Sequence, residues 1–503
     1  IPLTFETTME TWEIEPSERL RLLESVKYGS ERVLESIMRY EDELSADYKG
    51  GIGAQTDLVG IDYVLSEVND KLEAVGIEVN SHDCTINCQL FENLNPHRKG
   101  EAVKPLVETM IKRSELYSMK DKRVLVIGAG GFSKRFIWDE YDQFGIKVCL
   151  VDPEADTYGA SKVERFIQYD FLDHVHDDQH AENIMEIIRD MEIKIHGCVT
   201  FWEDCGPLAA IIGERMGFRG PGEKGAKIAK MKSLTQTTLR ARTGDIPHFP
   251  RTYLYTAKVM HVANEADIDL AVEYVGLPAV LKLEFGSSGV GVKPVDDWMQ
   301  CRNVFYQIKD SLHEEEDHPG IGLGHGNDLL LMEKLTGTEH DVDLIIFDRQ
   351  LIAAFISDNG PTKPGSYTET TATMPTCLRP DRQGQLITAA YQCCTEIGLV
   401  DGVFNVEMKM STSGPRLIEI NARMAGFYLR DWIKACYGVD ILKNSFMCCL
   451  GIRPIIPKPV PKCQIMGTIC VPSLHREQLS DINRLAILEN FIQQGDVRYN
   501  RIE

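Results

Sequence analysis

The residues best placed to do chemistry lie in 402–423, where two strand-like runs flank a turn at Ser411-Thr-Ser-Gly-Pro415. Folded symmetrically about Ser413, the segment sets Glu407 opposite Glu419 and Asn405 opposite Asn421. Directly opposed side chains have Cβ atoms about 4.5–5.5 Å apart, where like charges repel. Two carboxylates and an amide oxygen, with no thiol or imidazole, suit a hard cation, Mg2+ before Zn2+. A solvated hairpin with its acids in water would show the same pattern. The period of two also puts Arg423 on the face of Glu419 and Asn421, with Ile418, Ile420 and Ala422 on the other.

A second stretch is Pro278-Ala-Val-Leu-Lys-Leu-Glu-Phe followed by Gly286-Ser287-Ser288-Gly289-Val290-Gly291. Lys282 inside an apolar strand is costly unless an anion meets it. The glycine-rich loop can turn backbone N–H groups toward phosphate oxygens. It lacks the GxxxxGK[ST] form of a Walker A loop, and a hairpin tip with a snorkelling lysine reads equally from these residues. Glu339, Asp341 and Asp343 alternate with His340 and Val342 and share one face, either a solvent face or a set of ligand contacts.

These groups need elements to hold them. Residues 1–45 look helical, with apolar residues three and four apart beginning at Pro16, and 101–116 read as another helix. Runs at 59–65 and 74–80 read as strands, and Gly76-Ile-Glu-Val-Asn resembles Leu417-Ile-Glu-Ile-Asn, so 1–118 is a possible degenerate second copy with Leu65 in place of the first acid. Residues 121–220 alternate strand and helix. Gly128-x-Gly130-x-x-Ser133, with Asp152 ending the next strand, has the Rossmann layout but a serine at the third glycine, a weak sign of a dinucleotide. Residues 225–242 read as one helix carrying Lys232, 328–335 and 337–347 as strands, and 359–376 as a loop carrying Glu369. Helices are expected at 381–396, 428–436 and 441–449, and a strand from 464.

The chain is long enough for three to four domains. A net charge of −22 disfavours nucleic acid and anionic membranes as partners. No apolar run reaches the ~18–20 residues of a membrane span. Fourteen cysteines without CxxC pairs point to reduced thiols in a cytoplasmic protein. The chain starts at Ile1, which reads as processing, trimming or a fragment.

Taken in order, the helix lysine, the strand lysine before a glycine-rich loop, Glu-Lys-Leu, Gly-x-Glu and the acid hairpin closing on Glu-Ile-Asn-Ala-Arg resemble the ATP-grasp superfamily over about residues 120–450. Gly337-Thr-Glu-His-Asp-Val-Asp-Leu and Glu419-Ile-Asn-Ala-Arg-Met-Ala-Gly-Phe-Tyr-Leu-Arg-Asp-Trp-Ile are similar to the amino-acid ligases, the carnosine synthase family most of all. The resemblance implies an α/β and α+β multidomain chain, an ATP-grasp fold preceded by a Rossmann-like α/β domain. Its divisions would be 1–118, 119–222, 223–450 (a small lid subdomain at about 245–333 and a large one at 334–450) and 451–503.

It further implies Lys232 and Lys282 on ATP phosphates and Gly286, Ser287, Ser288, Gly289 and Gly291 as a lid. Glu333, Lys334 and Leu335 would meet adenine, and Glu339 the ribose. Glu407, Glu419 and Asn421 would hold Mg2+, with Mn2+ as a substitute, and Arg423 would face the transferring phosphoryl group. Glu369, Phe427 and Arg430 are candidates for the amino-acid pocket. The implied reaction joins a carboxylate, β-alanine, to the amine of L-histidine with release of ADP and phosphate. Other small carboxylate–amine pairs and a non-catalytic ATP-binding module are the alternatives. Small-molecule substrates and a homo-oligomer are the expected partners.

Overall fold

The computed structural model describes residues 4–7, 10–13, 60–68, 71–80, 115–116, 118–241, 254–286, 291–311, 328–362, 367, 369–426, 428–456 and 459–468. Ser287, Ser288, Gly289 and Phe427, the helix expected after Pro16 and most of 101–116 lie outside the described residues.

The first strands, β1 (Thr4–Thr7) and β2 (Glu10–Glu13), pair antiparallel where the sequence suggested helix. Their Thr and Trp content suits a pleated strand better than a helix. Next come β3 (Gly60–Val68) and β4 (Lys71–Asn80). Their register puts Asp62 opposite Glu78 and Leu65 opposite Ala74. The backbone register therefore pairs Asp62, and not Leu65, with the glutamate of the Glu-Val-Asn run, with a bulge after Val64.

A parallel sheet follows, in the order β7-β6-β5-β8: β5 (Arg123–Ile127), β6 (Lys147–Asp152), β7 (Arg165–Gln168) and β8 (Gly197–Val199). Val124, Leu125, Val126 and Ile127 are all buried, as the unbroken apolar run of a two-sided strand requires. Gly128 and Gly130 after β5 have φ of +80° and +69°. The loop is filled by the protein itself. Asp152 Oδ2 accepts a 2.7 Å hydrogen bond from Ala129 N, and a Cβ at Gly130 would stand 2.6 Å from Lys134 Cγ.

The expected helix at 225–242 is two helices, Glu223–Lys230 and Lys232–Ala241, broken where Met231 takes extended backbone. The break makes Lys232 the first residue of the second helix. A second sheet runs β11-β10-β12-β9, all antiparallel: β9 (Val259–Val262), β10 (Ala279–Leu283), β11 (Lys293–Val295) and β12 (Leu329–Glu333). Helices Ala266–Val275 and Trp298–Ser311 cover one face of it through Ile268, Ala271, Val304 and Phe305.

The largest sheet has the order β17-β16-β13-β14-β15-β18. It comprises β13 (Thr338–Phe347), β14 (Gln350–Asn359), β15 (Thr371–Met374), β16 (Gly402–Ser411), β17 (Gly414–Asn421) and β18 (Ile465–Thr468). The strand β14 had no sequence assignment, and β15 lies within the expected 359–376 loop. Gly337 (φ +116°) opens β13 under the backbone of its neighbour, since a Cβ there would stand 2.2 Å from Met410 O.

Even-numbered positions of β13, among them Val342, Leu344 and Ile346, pack on helix Pro380–Ile397. The odd-numbered face is split. Ile345 and Phe347 join the core that includes helix Ile441–Cys449, whereas Glu339, Asp341 and Asp343 occupy the other end. Glu339 and Asp341 of that polar end floor the cavity described next. No described helix is long and apolar enough to cross a membrane.

Candidate functional site

A cavity of about 540 Å³ opens between the second sheet and the largest one. That volume suits a small organic ligand. Lys232, Lys282, Gly286, Glu333, Lys334, Leu335, Glu339 and Glu369 border it, together with Glu407, Glu419, Asn421 and Arg423. These lie as far apart in sequence as Lys232 and Arg423, and the fold gathers them.

The hairpin β16–β17 pairs Glu407 with Glu419 and Asn405 with Asn421, as symmetry about Ser413 predicts. Below Glu407 the register shifts by one: Met408 pairs with Leu417 and Lys409 with Arg416. The ladder skips Ile418, which is a β-bulge. Arg416 and Glu419 are three residues apart and would face opposite sides of a regular strand. The bulge brings both to the cavity side, where Arg416 bonds Glu333 at 2.9 Å.

Strand β13 extends the acid rows across the sheet. Asp341 pairs with Glu407, Asp343 with Asn405, and Glu339 with Lys409. The acids of β13 are therefore no solvent face: Asp341 is 7% and Asp343 0% exposed. Each rung has a different balance. Glu339 is offset by Lys409 Nζ at 3.1 Å. Asn421 Nδ2 donates to Asn405 Oδ1 at 3.0 Å and approaches Glu407 Oε1 at 3.3 Å.

The two opposed glutamates are pushed apart electrostatically. Burial, and then the charges of Glu419, Asp341, Glu339 and Glu369, drive the Glu407 carboxyl well above the ordinary range. Burial also acts to raise Glu419, but Lys232, Lys282, Arg423 and Lys230 outweigh it and hold that carboxyl below its usual value. Lys232 Nζ lies 3.5 Å from Glu419 Oε2. It also donates to the carbonyls of Glu284 (3.2 Å) and Gly286 (3.0 Å), so it anchors the entry to the glycine-rich loop. Lys282 is 6% exposed, and burial lowers the affinity of its amine for a proton despite the pull of Glu419.

Among the described residues no group of three or more His, Cys, Asp or Glu side chains is arranged to hold a metal ion. Glu407, Glu419 and Asn421 supply two carboxylates and one amide oxygen. Such a set fits Mg2+, which takes one or two carboxylates and completes its shell with phosphate and water oxygens.

One wall of the cavity is apolar, with Val280, Val292, Met332, Leu335 and Ile418. Glu333 sits beside it, but its Oε2 accepts from Lys258 N at 3.1 Å as well as from Arg416, so the carboxylate braces the strand end. Arg423 is aimed by Glu203, whose Oε2 is 2.8 Å from its Nε. Lys230 reaches Asp204 at 2.9 Å and Glu203 at 3.8 Å. Behind them Lys134 is 5% exposed, and burial together with Arg423 pushes its amine down to about 7.

Two sequence expectations change. Arg430 is 2% exposed and outside the cavity, clasped by Glu140 (2.6 Å) and Asp440 (2.5 Å), because the helix Leu429–Tyr437 turns it toward the parallel-sheet unit. Gly291 is described but does not line the cavity. Glu369 does line it, with Oε1 taking 2.7 Å from Asn359 Nδ2. Burial and the charges of Asp341 and Glu339 push this carboxyl up to about 8.

Sequence reasoning missed Glu203, Lys230, Lys134, Tyr367, Tyr428 and Lys409. Lys409 was recoverable from its alternation with Glu407. Lys230, Tyr367 and Tyr428 stand beside Lys232, Glu369 and Phe427, residues already singled out, whereas Glu203 and Lys134 come from distant segments and carry no local signal.

The paired sheets and the acid hairpin on the cavity define an ATP-grasp fold, and residues 325–451 match the family model described as ATP-grasp in the biosynthetic pathway with Ter operon. The chain is 42% identical to carnosine synthase 1 of Mus musculus over 511 residues, covering 100% of this chain and 62% of that protein. The chain thus spans less than two thirds of that relative. Among solved structures it resembles an L-amino acid ligase from Bacillus licheniformis (TM-score 0.52, 17% identity, 68% of this chain and 75% of that one). It also resembles an ADP complex of N5-carboxyaminoimidazole ribonucleotide synthetase (TM-score 0.54, 14% identity, 73% and 86%).

Proposed function

We propose that this chain is an ATP-dependent, ADP-forming ligase that joins the carboxylate of β-alanine to the amine of L-histidine. The observation that carries the reading is Glu419, set opposite Glu407 and within reach of Lys232 and Lys282 on a cavity of nucleotide size. Lys232 and Lys282 hold the phosphates of ATP, and the 286–291 loop covers them. The apolar wall with Glu333, Lys334 and Leu335 takes adenine, and Glu339 takes the ribose. Glu407, Glu419 and Asn421 hold Mg2+, or Mn2+ in its place. The metal's contribution is to neutralise phosphate charge, so that an anionic carboxylate can approach.

Few covalent steps fall to the protein, and positioning and charge carry the reaction. The carboxylate oxygen displaces ADP from the γ-phosphorus and forms an acyl phosphate. The amine nitrogen then attacks the acyl carbon, phosphate leaves with the bonding pair, and the amine loses its proton. Arg423, aimed by Glu203, stabilises the charge on the transferred group. The loop excludes water from the acyl phosphate. A reducing, cytoplasmic setting and a homo-oligomer belong to the same reading; the eleven described cysteines are free thiols.

Incubation with Mg-ATP and pairs of amino acids, with nucleotides and dipeptides identified by mass, tests this. ADP, phosphate and the β-alanyl dipeptide are expected. AMP with pyrophosphate would overturn the acyl-phosphate route. A different dipeptide would keep the ligase and change its substrates.

A further inference from the structure

At the edge of the largest sheet, β18 is held by the helix Leu429–Tyr437 as well as by β15. Ile465 pairs with Met374 and Met466 with Thr373. A Cβ at Gly467 would stand 2.6 Å from Trp432 Cζ2, so glycine lets the strand lie this close to the helix. Just before the strand, Lys462 N donates to Cys436 O at 2.7 Å, which fixes the approach of the two backbones. The result is a contact between two thiols: Cys463 Sγ lies 3.8 Å from Cys436 Sγ.

The two sulfurs differ in access. Cys463 is exposed, whereas Cys436 is buried in the last turn of the helix, where its thiol donates to Met374 O at 3.5 Å. Burial and the neighbouring Cys463 push the Cys436 thiol up to about 12, so it is the weaker attacker. An exposed thiol that meets the oxidant first, backed by a buried one at contact distance, is the arrangement of an attacking and a resolving cysteine. Disulfide sulfurs stand about 2.05 Å apart, so the pair must close by roughly 1.8 Å. Cys463 sits in loop backbone outside any helix or strand, and a change of its χ1 rotamer moves the sulfur by more than that. Among the described residues no further His, Cys, Asp or Glu completes a metal set with the pair.

We propose that Cys436 and Cys463 are a redox-sensitive thiol pair that oxidises to a disulfide and staples the loop before β18 to the helix Leu429–Tyr437. The staple is independent of the ligase reading. Its oxidant is a low-molecular-weight disulfide of the glutathione class. The Cys463 thiolate attacks one sulfur of that disulfide, the S–S bond breaks, and one glutathione leaves with the bonding pair and takes up the Cys463 proton. Cys436 then attacks Cys463 Sγ and expels the second glutathione, which takes up the Cys436 proton. The two protein thiols are oxidised together by two electrons, and the reagent is reduced to two thiols. The new bond closes the chain between residues 436 and 463 and removes freedom from its unfolded state. The helix begins at Leu429, which borders the cavity, so oxidation pins the far end of an element whose near end meets the ligand.

The test treats the full chain with glutathione disulfide on a Cys377→Ser background, which removes the other exposed thiol among the described residues. Mass spectrometry of unreduced tryptic peptides is expected to join the Cys436 peptide to the Cys463 peptide with the loss of two hydrogens, fragmentation placing the bond at Cys463. The oxidised chain is expected to melt a few degrees higher, and dithiothreitol to reverse both changes. Cys463→Ser, at an exposed position, should stay folded and show neither the linked peptide nor the rise. Cys436→Ala should stop at a glutathione adduct on Cys463. A glutathione adduct persisting on Cys463 while Cys436 is intact, a bond from Cys463 to any other cysteine, an unchanged melting temperature at full oxidation, or a rise retained in Cys463→Ser would overturn the staple.

Discussion

Glu407 and Glu419 face each other across the β16–β17 hairpin, yet their proton affinities are driven in opposite directions. Glu419 has the lysines and Arg423 on its side, whereas Glu407 has mainly other acids. A positive charge placed between the two carboxylates would offset the repulsion that acts on Glu407.

Glu407→Gln removes that repulsion. The variant is expected to unfold at a temperature a few degrees higher than wild type without ligand, and to lose at least about 100-fold in ADP release. Thermal melts with and without Mg-ATP check both halves; unchanged turnover would remove Glu407 from the metal site.

Glu419→Ala should abolish turnover while the chain stays folded. It leaves Lys232 without its half-buried carboxylate partner, so stability should fall by about 1.5–3 kcal/mol, the usual worth of a bond between charged groups. Urea unfolding followed by circular dichroism gives the size, and wild-type rates would rule out the site.

Two carboxylates and an amide are too few to hold Mg2+ tightly by themselves. Titration calorimetry should therefore detect Mg2+ binding with nucleotide present and little without it. EDTA should stop ADP release, and added Mg2+ should restore it. Tight binding to the nucleotide-free chain would contradict the shared-shell arrangement.

Arg430 separates packing from substrate recognition. Arg430→Met breaks its pairs with Glu140 and Asp440, and should cost about 3–5 kcal/mol while leaving KM for each substrate within about twofold. A large KM change at unchanged stability would return it to the substrate pocket.

Lys134 sets a slope in the pH dependence of stability. Its folded amine is pushed down to about 7 from 10.5, so between those values the unfolded chain holds more protons than the folded one. Stability should then rise with pH from about 7 to 10.5. Lys134→Met should flatten this slope and unfold at a higher temperature at pH 7. An identical slope in the variant would show that Lys134 is not its origin.

Much of this was legible in the sequence because it is local. The Val-Leu-Val-Ile run, the alternation of Glu339, Asp341 and Asp343, and the near-symmetry of 402–423 follow from period-two geometry and steric rules acting on neighbouring residues. That is why the opposition of Glu407 and Glu419 could be read before any fold was known, and why Lys282 in an apolar strand stood out as needing an anion.

What only the tertiary structure decided is which partners those residues meet. The break at Met231 that sets Lys232 at a helix start, the bulge at Ile418 that gives Arg416 and Glu419 a common face, and the choice of β14 as the neighbour of β13 all depend on contacts between distant segments. So does the burial that turned three acids from a solvent face into a buried row, two of them on the cavity floor, and that assigned Arg430 to a salt-bridge cluster instead of a substrate. The sequence determines the chemical groups and their local faces. Side-chain environment, and with it charge balance and protonation, exists only once the sheets and helices have packed.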